Sequence, residues 1–111
     1  MEYDRELLKG NTDALLLSLL TEEPMYGYQL VKELERRSRG YFQFREGTLY
    51  PALHRLEKDG LVAGKWQKSP NGQPRKYYYV TAKGSRGLEQ KLAQWRGFFA
   101  AVNRVLSAEA T

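Results

Sequence analysis

Five side chains between residues 46 and 62 could hydrogen-bond to an oxygen-rich partner: Thr48, Tyr50, His54, Arg55 and Lys58. In the segment EGTLYPALHRLEKDGLV, Leu49, Leu53 and Leu56 recur at helical spacing, which leaves those five for the polar, basic face. A guanidinium such as that of Arg55 can donate two parallel hydrogen bonds to a guanine or grip a phosphate. The same spacing also lets Arg55 pair with Asp59 one turn on. Thr48 and Tyr50 fall near the helix start, where the dipole favours phosphate oxygens. Tyr50 could instead pack under the following hairpin. His54 is the only histidine and has no cysteine to join it around a metal, so it reads as a phosphate or base contact or as a surface residue. A second basic set, Lys68, Arg75 and Lys76, belongs to the hairpin.

A basic helix face beside a basic, aromatic ribbon is the layout of a winged-helix DNA-binding domain. The ribbon would track the phosphate backbone or minor groove and supply affinity more than specificity. An exposed hairpin that uses charge to block aggregation would look similar.

Charge placement supports a polyanionic partner. The 111-residue chain has a net charge of +5, but residues 1–20 are net acidic and residues 21–60 are neutral. Residues 61–80 carry Lys65, Lys68, Arg75 and Lys76 with no acid, and the last helix adds Lys83, Arg86, Lys91, Arg96 and Arg104. Hydrophobic residues make up 41% and charged residues 28%, ordinary values for a globular chain. The absence of cysteine excludes disulfides and thiol catalysis and suits a reducing cytoplasm. The apolar run Ala14 to Leu20 is too short to span a bilayer, and no cleavable signal is expected. A single histidine, scattered carboxylates and the lack of a phosphate-binding glycine loop or dinucleotide fingerprint argue against an enzyme, a cofactor or a metal site.

The elements that must position these groups follow from pattern. Residues 3–9 read as a short, mostly polar leader, with Asn11 or Thr12 capping an apolar helix over Asp13 to Leu20. A second helix spans about Tyr26 to Arg37, with Leu30 and Leu34 inward and Gly40 as a stop. The third runs from about Glu46 or Thr48 to Asp59, with Gly60 as a left-handed cap. Pro51 lacks an N–H, which favours Thr48 as N-cap and Pro51 as the third helical residue. Strands follow at Leu61 to Lys68 and Arg75 to Thr81, joined by a loose turn over residues 69–74. Alternation puts Lys76, Tyr78 and Val80 on one strand face and Tyr77 and Tyr79 on the other, without choosing which meets the core. Thr81 caps a long helix from Ala82 to Leu106, roughly 37 Å at 1.5 Å per residue. Its apolar residues Leu88, Leu92, Trp95, Phe99, Val102 and Leu106 are spaced 4, 3, 4, 3 and 4 apart, an a/d seam that implies a partner helix.

The fold class is therefore mainly α with a β-hairpin wing (α+β). A winged helix-turn-helix occupies residues 1–81, and a dimerisation helix occupies residues 82–111.

The chain resembles the PadR family of bacterial transcriptional regulators over nearly all its length. Tyr26-Gly27-Tyr28-Gln29-Leu30 is similar to the opening of that family's second helix. Glu46 to Leu61 matches its recognition-helix signature almost letter for letter. Gly72-Gln73-Pro74-Arg75-Lys76-Tyr77-Tyr78 resembles its wing, and Thr81-Ala82-Lys83-Gly84 resembles its step into the last helix. The single C-terminal helix resembles the shorter branch, whose members dimerise through it. The resemblance implies a homodimeric repressor on a near-palindromic operator, relieved by a small aromatic effector. Trp95, with Phe99 beside it, stands where multidrug-sensing members stack a flat ligand; both residues equally suit plain dimer packing. The alternative is a winged-helix protein-interaction module without DNA binding.

Overall fold

A computed structural model describes the backbone of residues 2–107 and the side chains of residues 11–107. The order is α1 (Glu2–Glu22), α2 (Gly27–Arg37), α3 (Glu46–Lys58), β1 (Val62–Lys68), β2 (Pro74–Val80) and α4 (Ala82–Leu106). This is a winged helix with one long C-terminal helix.

α1 forms the centre of the core. Leu16, Leu17, Leu19 and Leu20 are all buried, and Leu30 and Leu34 of α2, Leu49, Leu53 and Leu56 of α3, Val62 and Tyr78 pack around them. The leader expected over residues 3–9 is instead continuous with α1, so Asn11 and Thr12 lie inside a helix rather than capping one. The nearby polar residues hid this because they make no apolar stripe.

α2 begins after Pro24, and the Gln29 side chain accepts from the Tyr26 N–H at 3.1 Å, which satisfies one open amide of the first turn. Arg36 and Arg37 both donate to Glu33, and Arg37 also donates to Glu22, tying the end of α1 to α2. Those two guanidiniums hold the Glu33 carboxyl far below its usual value, at about 2. α2 ends with Arg39 at φ 53° and Gly40 at φ 82°. The Gly40 N–H reaches back to the Glu35 carbonyl at 2.8 Å, closing a Schellman turn with Arg39 at the left-handed position. A side chain there costs about 1 kcal/mol that glycine avoids. Arg39→Gly is expected to raise the melting temperature by up to about 4 °C in thermal denaturation.

α3 starts earlier than its proline suggests. Arg45 is the N-cap, and its carbonyl accepts from Thr48 at 2.9 Å and Leu49 at 3.1 Å. Thr48 is thus the third helical residue and Pro51 the sixth. The helix tolerates Pro51 because the one hydrogen bond forgone is to Gly47, within the exposed first turns. Gly60, at φ 80°, closes the other end as expected, with Gly60 N–H on the Glu57 carbonyl (3.0 Å) and Leu61 N–H on the Leu56 carbonyl (2.9 Å).

The wing pairs antiparallel from Val62 opposite Val80 to Lys68 opposite Pro74. Met25 adds a short third rung on the far side of β2, exchanging hydrogen bonds with Tyr78 at 3.1 and 2.8 Å. Tyr78 is 1% exposed, so the face of Lys76, Tyr78 and Val80 turns inward. The tip is tied rather than loose. Ser69 N–H donates to Gln73 and Gly72 N–H to Ser69, each at 2.8 Å, and the Ser69 hydroxyl donates to Asn71.

Thr81 caps α4 as expected, its hydroxyl accepting from the Gly84 N–H at 3.1 Å. Gly84 is buried directly against the Leu61 carbonyl. Leu88, expected on the dimer seam, is 7% exposed and belongs to the chain's own core, because the first turns of α4 lie against the domain. Leu92 and Trp95 are half-buried against the same core. Beyond them Phe98, Phe99, Val105 and Leu106 are all more than half exposed.

Candidate nucleic-acid interface

α3, the start of α2 and the wing enclose an open groove of about 690 Å³. Tyr50 and His54 come from α3, Arg75 and Lys76 from β2. Four of the eight residues expected to touch DNA therefore share one concavity. Thr48, Lys58 and Lys68 are exposed outside it.

Tyr50 packs on α2. Its ring fills the space where Gly27 has no side chain; a Cβ at Gly27 would stand 2.7 Å from the ring. Burial pushes the Tyr50 phenol up. His54 stacks beside it, ring centroids 6.2 Å apart.

Two expected contacts are taken up internally. Arg55 does not pair with Asp59; it donates to Asp13 of α1, with both side chains about one-third exposed or less. Lys76 donates to Glu57 at 2.9 Å beneath the wing, and that bond pushes its ammonium up. Both face inward because their elements turn the Leu56 and Tyr78 side to the core. Among the described residues no ion pair holds Lys58, Lys65 or Lys68.

Tyr26, Tyr28, Trp66 and Glu46 also line the groove. Tyr26 and Tyr28 stood in a recognisable motif, but nothing local to that motif links α2 to the wing. Trp66 projects from the inner face of β1 and is 67% exposed, an unusual place for a tryptophan without a partner.

A helix-turn-helix whose second helix and basic wing share one open face defines a winged-helix DNA-binding regulator. Residues 16–90 match the Transcriptional regulator PadR-like family, and the chain belongs to that family. It is 39% identical to a PadR family transcriptional regulator from Eggerthella lenta, over 95% of this chain and 89% of that one, with a TM-score of 0.78. A transcriptional regulator from Clostridium thermocellum superposes with a TM-score of 0.80 at 30% identity, covering 89% and 93% of the two chains. The transcriptional regulator Rv3488 of Mycobacterium tuberculosis is 33% identical over 78% of this chain and 77% of its own length. No helix among the described residues is long and apolar enough to cross a membrane.

Proposed function

We propose that the chain is a homodimeric repressor that sets α3 in successive major grooves of a near-palindromic operator and leaves it when a flat aromatic ligand binds. The observation that carries this reading is the one open groove that α3, the start of α2 and the basic wing line together. Thr48, His54 and Lys58 offer their side chains to the groove of the duplex. Lys68 and Arg75 take phosphates beside it. Arg55 and Lys76, already paired with Asp13 and Glu57, orient α3 and the wing and add less to affinity.

Replacing Lys68 and Arg75 together with alanine is expected to weaken DNA binding. Its salt dependence should also flatten, by about 0.9 in log–log slope for each phosphate that the wing ceases to neutralise. An unchanged slope, read by anisotropy across a salt series, would favour the protein-interaction module.

The dimer would form through Phe99, Val102 and Leu106, with Leu92, Trp95, Phe98 and Val105 widening the contact. Trp95 and Phe99, with ring centroids 6.3 Å apart, would frame the effector between two copies of α4. Trp95→Ala should then keep the dimer by light scattering yet abolish binding of planar aromatic dyes. Retained dye affinity would leave Trp95 as packing alone. To act, the ligand must bind the DNA-incompetent dimer more tightly than the competent one.

A further inference from the structure

Arg75 is held unlike the other basic residues of the wing. Its guanidinium carbon lies 4.3 Å from the centroid of the Tyr26 ring, and Nη1 donates to the Tyr26 hydroxyl. The ring is itself braced edge-on by Tyr77, centroids 5.4 Å apart at 76°. The backbone under it is fixed twice, by Gln29 on the Tyr26 N–H and by the Met25–Tyr78 rung. Lys65 and Lys68, by contrast, are exposed.

We propose that Tyr26 is a positioning residue that holds the Arg75 guanidinium at the mouth of the groove for a phosphate of the bound strand. The inference rests on the DNA-binding reading above. Arginine has five N–H donors in a rigid fork, and the Tyr26 hydroxyl occupies one nitrogen. The guanidinium stays partly exposed on the groove, so its other N–H donors are left for a phosphate. No carboxylate among the described residues forms an ion pair with Arg75, although Glu46 lies on the same groove, so the cation keeps its charge for DNA. A guanidinium already immobilised loses less side-chain entropy on binding than a lysine swinging in solvent. The tyrosine that precedes α2 as its N-cap thereby contributes to the grip of the wing.

The test is a double-mutant cycle on the full chain with operator DNA. Tyr26→Leu removes the platform. Tyr26→Phe keeps the ring and its packing on Tyr77 and removes only the hydrogen bond. Each is combined with Arg75→Ala, and the dissociation constant, the salt slope and the melting temperature are measured for all. Tyr26→Leu is expected to weaken binding about tenfold and Tyr26→Phe about threefold. Both should flatten the salt slope, and both effects should fall to under about twofold when Arg75 is already alanine. A purely structural Tyr26 would lower affinity equally in both backgrounds, following the melting temperature, and that result would overturn the proposal. Should Tyr26→Leu fail to fold, the Tyr26→Phe pair decides by the same comparison. If Arg75→Ala alone leaves affinity and slope unchanged, the wing's role on DNA falls and the proposal falls with it. If Arg75→Ala weakens binding but the Tyr26 effects are additive with it, only the positioning role is lost.

Discussion

Gly84→Ala is expected to lower the melting temperature by about 10 °C or more, at a cost of about 3 kcal/mol. Gly84 sits in the first turn of α4, where the helix rests on the backbone that leaves α3. A Cβ there would drive into the Leu61 carbonyl group, 3.0 Å from its carbon, and stand 2.8 Å from Val80 Cγ2. The carbonyl is backbone and cannot swing away. It also accepts hydrogen bonds from the Thr81 N–H at 3.1 Å and from the Thr81 hydroxyl at 3.0 Å. Moving α4 outward therefore disturbs its own N-cap and the burial of Leu88. Gly97 provides the contrast: a Cβ there meets nothing within 4 Å, so Gly97→Ala should stabilise α4 by about 0.5 kcal/mol. Thermal denaturation of the two variants reads both effects. Equal small changes would mean that α4 does not dock through Gly84.

The second large effect concerns assembly. Phe99→Glu is expected to give monomers by light scattering and to weaken operator binding by about a hundredfold or more, because two tethered recognition helices bind far more tightly than one. Phe99 is 53% exposed in the single chain and touches Phe98 and Trp95 rather than the leucine core. The domain should thus keep its melting behaviour apart from the part that dimerisation contributes. A variant that remains dimeric would place the interface elsewhere. A monomer with undiminished operator affinity would show that each winged helix binds DNA alone.

What the sequence discloses here is what repeats locally. The leucine stripes of α2 and α3, the glycine after α3, the turn between the strands and the threonine cap of α4 each depend on neighbours a few residues away, and each stands where the pattern puts it. The α1 extension escaped because its first residues are mostly polar, with Leu7 and Leu8 too few to mark a helical stripe. Of the two starts open to α3, Pro51 favours Thr48, yet the helix begins at Glu46 because one missing hydrogen bond in an exposed turn costs less than the rule implies. Pairings across the fold carry no periodic signal. Arg55 with Asp13, Lys76 with Glu57 and Arg75 with Tyr26 join residues 42, 19 and 49 positions apart. The same limit explains Leu88: heptad spacing marks it as apolar, but whether it faces a second copy or its own domain depends on how α4 docks. Tyr26, Tyr28 and Trp66 reach the groove only because β2 pairs with Met25 and turns its inner face toward α3.

The central claim is that α3 and the wing form one DNA-reading face, duplicated in a dimer. The most direct test is anisotropy binding of the purified protein to DNA from immediately upstream of its own gene, across a salt series and against a scrambled duplex. Tight binding that needs the near-palindrome and falls steeply with salt is the expected result. Weak binding, indifferent to sequence, at that DNA and at duplexes selected from a random pool would contradict it.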